Sequence, residues 1–355
     1  MESSDPPTVH GIVVTTRLHT IQYLRAIAAV LVLVSHALLY PMVEQTLAYG
    51  RIGWLGVILF FVVSGFIMVA VTGAGRFDPL GFLRRRVIRV VPLYWAFTLL
   101  AALLALILPG LFKTTIFDGM QLLLSMAFIP FYNPASHGLH PLYKLGWTLN
   151  YEMFFYLCFA LLAPLAARGR VVVLTLAYLA LAVSGTLLHP QTPIAAFYTS
   201  YMPLAFVAGA WLGLAHVEGR LGGIGRRIAV PLALVGLAGA IEGFALDRGA
   251  VEDGTAFLGL LTCSTAAVAL AVGFEPKLPR LVMLERLGDA SYSVYLAHIF
   301  AVAGFAGVAL RFVGQEDGLA VSGAIAVAVI GGIALGLMLY ETVEKPMMRR
   351  LRRPI

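Results

Sequence analysis

Long apolar runs recur along the whole chain, separated by short polar or basic stretches. Each run is close to the roughly 20 residues that an α-helix needs to cross the hydrocarbon core of a bilayer. The pattern predicts an all-α integral membrane protein with about ten transmembrane helices. We place these helices at residues 23–42, 52–72, 88–108, 148–166, 171–188, 197–216, 228–246, 256–273, 291–312 and 319–341.

An eleventh apolar stretch, MQLLLSMAFIPFY, starts at Met120 and has only 13 residues. Pro130 lies near its end and cannot continue a helix. The basic residues indicate its topology: if it does not cross, nearly all loop arginines and lysines fall on one side of the membrane. We therefore predict a short re-entrant or interfacial helix, both termini in the cytoplasm, and an outward-facing segment over residues 109–147.

The composition agrees with a membrane protein. Of 355 residues, 60% are hydrophobic and 12% are charged, against about 25% charged residues in soluble proteins. The net charge of +7 comes from residues at span ends, so membrane orientation explains it and we expect no nucleic-acid partner. We predict one membrane domain over residues 21–346, an N-terminal cytoplasmic tail at 1–20 without a cleaved signal peptide, and a basic cytoplasmic tail at 347–355.

The two cysteines offer no sign of a metal site. Cys158 and Cys263 lie within apolar runs, far from any cysteine or histidine partner at metal-ligand spacing. We interpret both as core residues. No metal cofactor is expected.

The first predicted span, YLRAIAAVLVLVSHALLYPM, contains an arginine and a histidine, which are costly to place in lipid. Arg25 and His36 are 11 positions apart, so they share one helical face and lie about 16 Å apart along the axis. An imidazole exchanges a proton near physiological pH and can act as a general base. A structural histidine bonded to a neighbouring helix is the alternative. With an arginine on the same face, we favour the catalytic interpretation.

A basic cluster, FLRRRVIRVVPLYW, opens the third predicted span. Arg86 and Arg89 are three positions apart and share a helical face. Two guanidinium groups so placed suit a phosphate ligand. A topology anchor at the cytoplasmic end is the alternative, and a basic cluster taken alone favours that interpretation.

Two further spans place polar side chains in the bilayer. In LGWTLNYEMFFYLCF, Glu152 needs a partner such as an imidazolium, a sugar hydroxyl or a structural cation, and Trp147 marks the membrane interface. In GWLGVILFFVVSGFIM, Ser64 can hydrogen-bond inside the bundle. The same run has glycines that allow close helix packing or room for a ligand chain: Gly53, Gly56 and Gly65. Glu152 is a candidate catalytic residue, and Ser64 and Trp147 are candidate substrate contacts.

A polar stripe occurs in LGDASYSVYLAHIF, at the start of the ninth predicted span. Tyr292, Tyr295 and His298 lie in this run, and the last two share a helical face. Polar groups on one stripe of a membrane helix are expected to face the protein interior. We consider all three to be candidate substrate contacts, with mutual hydrogen bonding as the alternative.

Together these motifs resemble a known family. YLRAIAAVLVLVSH, FFVVSGFIM, FLRRRVIRVVPLYW, WTLNYEMFFY, SYSVYLAH and the terminal EKP occur in the order and spacing of the acyltransferase family 3 membrane proteins, over residues 23–346. The chain is most similar to the branch that acetylates exopolysaccharides and O-antigens. The resemblance implies a ten-helix domain of the bacterial inner membrane. It also implies transfer of an acyl group, acetyl by default, from cytoplasmic acyl-CoA to a hydroxyl of an exopolysaccharide or a lipid-linked repeat unit.

The resemblance also implies roles for individual residues. The family's essential histidine falls on His36, its first-helix arginine on Arg25, and its acidic position on Glu152. The family's Arg-x-x-Arg motif falls on Arg86 and Arg89. His36 is then either a general base for the acceptor hydroxyl or a nucleophile that holds the acyl group. A glycan or lipid-linked oligosaccharide transporter is the rival function, although no inverted repeat of the transporter kind is visible.

Overall fold

The structure is a computed structural model of the single chain. It describes residues 18–40, 47–108, 115–221, 254–308, 310 and 318–352, with seven further positions between 227 and 238. Within these ranges the protein is α-helical, without strands, and has one isolated β-bridge between Asn133 and Gly138. The predicted all-α fold class is confirmed for this part of the chain.

The α-helices of the described residues are labelled in chain order. They are α1 His19–Leu39, α2 Leu47–Thr72, α3 Pro79–Ile107, α4 Gly119–Met126, α5 Trp147–Leu161, α6 Ala167–Leu188, α7 Pro193–Tyr198, α8 Leu204–Val217, α9 Gly254–Phe274, α10 Val282–Asp289, α11 Ser291–Ala301, α12 Gly318–Leu339 and α13 Lys345–Leu351. Short 3₁₀ turns lie at Lys144–Gly146 and Glu275–Lys277, and π-helical turns lie at Val302–Ala306 and Tyr340–Glu344.

Six helices in the described ranges are long and apolar enough to cross a membrane. They are His19–Leu39, Gly50–Thr72, Pro79–Ile107, Ala167–Leu188, Gly254–Lys277 and Gly318–Leu351. Two further apolar helices, Leu204–Val217 and Ser291–Ala306, are shorter. The span predicted at 228–246 lies largely outside the described residues. A multi-pass helical membrane fold is thus supported, whereas the predicted total of about ten spans is not confirmed.

Proline explains why two predicted spans differ from the helices observed. The span predicted at 197–216 is divided between α7 and α8. Pro203 lies at the break, where it has no amide to donate and restricts the residue before it. The span predicted at 148–166 corresponds to α5, which has 15 residues and ends shortly before Pro164.

Side-chain caps fix the start of α3 and of α4. The Asp78 carboxylate accepts hydrogen bonds from the amides of Leu80 and Gly81, so α3 begins before the predicted residue 88 and includes the arginine cluster. The Asp118 carboxylate accepts from the Gln121 amide and starts α4. With 8 residues α4 is too short to cross a bilayer, in agreement with the interpretation of the Met120 stretch.

Several helix ends that bear basic residues lie together. The buried Arg170 at the start of α6 donates to the carbonyl oxygens of Gly75 at 2.6 Å and Leu165 at 2.7 Å. Arg168 pairs with Glu218 after α8 at 2.9 Å. These contacts join the ends of α2, α5 and α8 to the start of α6. We call this side of the bundle, which also includes the starts of α1 and α3, the basic end.

Glycine contacts hold α2 close to its neighbours. A β-carbon on Gly65 would overlap the carbonyl oxygen of Phe206 in α8, and one on Gly209 would overlap the carbonyl oxygen of Val62. A β-carbon on Gly56 would lie 2.6 Å from a backbone carbonyl oxygen of α1. The packing interpretation of the glycines in α2 is confirmed at these positions. A third face of α2, which lies between these two contacts and includes Ser64, lines a cavity.

Candidate active site

A cavity of about 300 Å³ lies between α1, α2, α3, α5 and α11, in the half of the bundle nearer the basic end. Its lining contains the three predicted arginines, Arg25, Arg86 and Arg89, and also Arg352. Among the described residues, Glu152 is the one carboxylate that lines it. The wall is therefore predominantly positive and suits an anionic ligand. We call this space the arginine cavity.

Neutral partners orient Arg25 in α1. Its Nη1 donates to Oε1 of Gln22 at 2.9 Å, and its Nη2 donates to Oγ of Ser291 at 2.9 Å. Both acceptors are uncharged, so they fix the guanidinium without neutralising it. The positive charge of Arg25 is directed at the cavity that the side chain lines.

Arg86 and Arg89 share a helix face but differ in their partners. Arg89 Nη1 lies 3.3 Å from Oε1 of Glu344, a fully buried carboxylate that also accepts from Oγ of Ser293 at 2.6 Å. The Arg86 guanidinium lies 5.6 Å from the ring centre of Phe82, and its Nε is buried without a hydrogen-bond partner in the described chain. Glu344 thus holds Arg89 through Nη1, whereas Nη2 of Arg89 and Nε of Arg86 have no partner in the described chain and keep hydrogen-bonding capacity for a ligand.

Glu152 lies in the arginine cavity and forms a small hydrogen-bond network there. Its Oε1 accepts from Oγ of Ser64 at 3.2 Å and from the hydroxyl of Tyr156. Ser64 lines the same cavity, as does Tyr292, whose hydroxyl donates to the Val90 carbonyl at 2.6 Å. Three of the predicted site residues therefore lie together, on the side of the arginines.

A second cavity, of about 800 Å³, is lined by the C-terminal half of α1, the start of α2 and the segment that precedes α5. His36, Trp54 and Trp147 line it, and the two indole rings lie 5.1 Å apart between centroids. His140 and Lys144, from the segment predicted to face outward, complete one wall. We call this space the aromatic cavity. The structure thus places His36 and Trp147 together, in a different cavity from Arg25 and Glu152.

The hydrogen bond that His36 makes defines its reactive nitrogen. Nδ1 lies 3.0 Å from the carbonyl oxygen of Val32. A carbonyl only accepts, so Nδ1 bears the hydrogen, and Nε2 of the neutral ring keeps its lone pair. The half-buried ring therefore presents a base or nucleophile beside the aromatic cavity.

His298 packs directly against His36, with ring centroids 4.7 Å apart. It is fully buried and lines neither cavity, and its Nδ1 donates to the Tyr295 carbonyl at 2.6 Å. Its Nε2 has no hydrogen-bond partner among the described residues. The structure therefore places this predicted substrate contact against the catalytic candidate, out of reach of a ligand in either cavity.

The two cavities meet at Tyr295, which lines both of them. Its hydroxyl lies 2.8 Å from Oγ1 of Thr148 and donates to the Leu145 carbonyl at 3.1 Å. Val57 of α2 also lines both spaces. Tyr295 and Val57, with Thr148 as the partner of Tyr295, therefore form the partition between the arginine cavity and the space beside His36.

Sequence reasoning missed several residues of these walls. Glu344, the partner of Arg89, belongs to the EKP motif. Its place in that motif could have indicated that it belongs to the site. Thr148 belongs to the WTL motif, but nothing in the sequence pairs it with Tyr295. Lys144 lies in the segment predicted to face outward, and no pattern singled it out. No group of three or more histidine, cysteine, aspartate or glutamate side chains in the described ranges is placed to hold a metal ion.

Comparison with known proteins identifies the class. Residues 18–341 match the acyltransferase domain of acyltransferase family 3. The chain is 33% identical over 324 residues to the exopolysaccharide production protein ExoZ of Rhizobium meliloti (strain 1021), an alignment that covers 89% of this chain and 96% of that protein. No solved structure matches the chain significantly.

The helical bundle and the family match together define a multi-pass membrane acyltransferase. The chain belongs to acyltransferase family 3. The resemblance inferred from its motifs is thereby confirmed.

Proposed function

We propose that the protein transfers an acetyl or other short acyl group from acyl-CoA to a hydroxyl of a cell-surface or exopolysaccharide glycan, or of its lipid-linked precursor. One observation supports this most directly. A cation-lined cavity and an aromatic cavity meet at Tyr295, and His36 lies in the second of them. A transferase that joins two chemically different substrates needs such an arrangement.

The arginine cavity has the chemistry that an acyl-CoA requires. The nucleotide phosphates of coenzyme A need cationic partners at an aqueous mouth, and planar guanidinium groups bind phosphates in a bidentate manner. Arg25 and Arg86 offer charges that no described carboxylate pairs with by hydrogen bond. The pantetheine arm would extend past Ser64 and Glu152 toward Tyr295.

His36 performs the chemistry in this proposal. In the covalent route, Nε2 attacks the thioester carbonyl carbon, a C–N bond forms, the C–S bond breaks and CoA leaves as thiolate. The acceptor hydroxyl then attacks the acyl-imidazole, its C–O bond forms as the C–N bond breaks, and the proton it releases balances the one that the thiolate takes up. In the direct route, Nε2 removes the hydroxyl proton while the oxygen forms a C–O bond to the thioester carbonyl carbon. The C–S bond breaks, and the CoA thiolate that leaves takes up the proton from the imidazolium.

Glu152 contacts the donor in this proposal and does not react with it. Because it lies in the arginine cavity, it is positioned beside the donor arm rather than beside His36. Its second carboxylate oxygen is suited to accept a hydrogen bond from a pantetheine amide, while Oε1 holds Ser64 and Tyr156. We therefore propose that Glu152 orients the pantetheine arm, which carries the thioester toward His36.

The aromatic cavity suits the glycan. Indole rings combine a large apolar face with a polar N–H and pack well on amphipathic ligands such as sugars. Trp54 and Trp147 present two such rings within one wall. The exopolysaccharide description of the Rhizobium meliloti relative, at 33% identity over most of both chains, supports a glycan acceptor of that kind.

The proposed location is the bacterial inner membrane, with both termini and the basic end on the cytoplasmic side. The positive-inside rule supports this orientation. In this orientation the arginine cavity lies on the side of the membrane where acyl-CoA, a cytoplasmic metabolite, is present. The aromatic cavity then opens toward the outer side of the membrane.

Purified protein incubated with acetyl-CoA labelled in the acetyl group tests the proposal. With a glycan fraction from the encoding bacterium, we expect thioester cleavage and label in ester linkage to sugar. A glycan transporter, the rival function, would leave the thioester intact under all conditions. Absence of acceptor-dependent label would reject the acyl-transfer proposal.

A further inference from the structure

We infer that the acceptor glycan carries an anionic group, a carboxylate or a phosphate, and that Lys144 binds this group in the aromatic cavity. The inference rests on the proposed function and narrows its acceptor class. It comes from the charges on the wall that faces His36.

Lys144 is held at this wall by the backbone. It begins the 3₁₀ turn Lys144–Gly146, which leads directly into α5 and places the side chain on the same cavity as Trp147 and His36. The backbone therefore fixes the point from which the Lys144 side chain reaches into the cavity, beside the aromatic wall and the reactive imidazole.

No charged partner within the described ranges neutralises the Lys144 ammonium. Partial desolvation by the surrounding protein lowers its pKa, and no described carboxylate acts to raise it. By contrast, Lys345 at the other end of the chain forms an ion pair with Glu341 at 2.6 Å. The side chain keeps an exposed surface on this wall, so an anionic ligand that enters the aromatic cavity can pair with the Lys144 ammonium.

The other residues that line the aromatic cavity also favour an anionic ligand. Its described lining contains no aspartate or glutamate, although it contains three histidines. The pKa of His140 is lowered to about 4, chiefly by burial and then by the charge of Lys144. His140 is therefore neutral at pH 7, so Lys144 supplies the positive potential on this wall.

This geometry also indicates how one hydroxyl is selected. The anion would lie at Lys144, a sugar ring at the Trp54 and Trp147 pair, and the reacting hydroxyl at His36, all within one cavity. Three contacts fix the orientation of a ligand better than two. A uronic or other acidic sugar and the diphosphate of a lipid-linked repeat unit both provide such an anion.

The experiment compares acceptors prepared from one source. Lipid-linked glycan from the encoding bacterium is used untreated, after chemical reduction of its carboxylates, and after removal of its phosphates by mild acid. Assays in a neutral detergent exclude lipid headgroups as the anion. We expect one of the two treatments to raise the apparent KM of the wild-type enzyme for acceptor about tenfold, the value of one hydrogen bond to a charged group. Loss with reduction identifies a carboxylate. Mild acid removes the lipid together with the phosphates, so loss with acid identifies a phosphate when Lys144→Gln abolishes that loss.

Variants connect the effect to Lys144. Lys144→Gln should raise the acceptor KM for untreated glycan by the same factor, leave the KM for acetyl-CoA unchanged, and abolish the difference between treated and untreated acceptor. Lys144→Arg should retain the difference. Lys277→Gln, an exposed lysine beyond α9, is the matched control and should behave as wild type.

Equal use of all three acceptor preparations by the wild-type enzyme would overturn the inference while leaving the proposed function intact. The inference is also overturned, and the proposed function left intact, if Lys144→Gln discriminates between the acceptor preparations as the wild type does. The wild-type comparison decides the question even if the variant does not fold. No acyl transfer to any preparation would reject the proposed function itself, and the inference with it.

Discussion

The imidazole rings of His36 in α1 and His298 in α11 pack edge to face, with centroids 4.7 Å apart and planes at 66°. Both Nδ1 atoms are occupied by backbone carbonyls, those of Val32 and Tyr295. Two helices distant in sequence thus hold one histidine rigidly behind the other. Because the orientation of a catalytic imidazole determines whether its lone pair meets the substrate, His298 is a positioning residue for His36 in the proposed mechanism.

Replacement of His36 by alanine should abolish acyl transfer, to less than a tenth of the wild-type turnover, because general bases and nucleophiles contribute factors of about 10² or more. Alanine is small and apolar, so the variant should still insert and fold. Turnover is measured with labelled acetyl-CoA and glycan, and folding by thermal unfolding in detergent.

The control for this change is His216→Ala. His216 lies in α8 against Phe66, with ring centroids 5.5 Å apart, and lines neither described cavity. Its loss should leave turnover within about twofold, the size of effect expected away from the reacting groups. Retention of more than a tenth of wild-type turnover by the His36 variant would rule out His36 as the reacting group.

Arg86→Ala should raise the KM for acetyl-CoA about tenfold or more, with little effect on the acceptor KM, because the lost contact is to a phosphate remote from the reacting carbon. Its thermal stability should stay close to that of the wild type, since Arg86 holds no described carboxylate. Steady-state kinetics at varied donor and acceptor concentrations provide the measurement.

Arg89→Ala should differ from Arg86→Ala in stability. It leaves Glu344 buried without its cation, a change that costs roughly 3–5 kcal/mol when one partner of a buried pair is removed. The double variant Arg89→Ala with Glu344→Gln should recover much of this stability. An unchanged donor KM in both single variants would reduce the two arginines to a structural role.

Tyr295→Phe tests the partition between the cavities. Its hydroxyl joins Thr148 to the Leu145 carbonyl, and without it the partition loosens and water from the aromatic cavity reaches the donor side. We expect the ratio of CoA released to acyl group transferred to rise several-fold, a direct sign of uncoupled hydrolysis. Tyr178→Phe, a fully buried change in α6 away from both cavities, is the control. A ratio equal to that of the wild type would mean that Tyr295 does not separate the two spaces.

Local pattern predicted most of the helical architecture. The apolar runs predicted α1, α6 and α9 to within a few residues, because a helix in lipid must be apolar over its whole length. The start of α3 was misplaced because hydropathy excludes the arginines, whereas the Asp78 cap decides where the helix begins. The break before α8 was missed because apolar residues continue past Pro203.

The sequence predicted individual residues that line the two cavities, but it did not predict how these residues are arranged relative to one another. Helical periodicity placed Arg25 and His36 on one face, yet it could not show that they line different cavities. The contacts between His36 and His298, and between Arg89 and Glu344, join residues more than 250 positions apart. Such pairs depend on tertiary packing, which one sequence does not encode in any local pattern.

The separation of the two cavities bears on the last prediction, the order in which substrates react. The arginines line one cavity and His36 lines the other, with Tyr295 between them. An acyl group that is first attached to Nε2 of His36 can be passed to a glycan without both substrates meeting in one space. This geometry favours the covalent route over direct attack by a hydroxyl on the thioester.

Ping-pong kinetics are therefore expected, with parallel initial-rate lines when donor concentration is varied at several acceptor concentrations. Acetyl-CoA alone should release about one equivalent of CoA per enzyme in a burst, and His36→Ala should show no burst. The acylated protein should gain the mass of one acetyl group, which disappears on addition of glycan. Intersecting lines without a burst would instead require a sugar hydroxyl to reach the thioester directly, with His36 as its general base, since only then must both substrates be bound before CoA leaves.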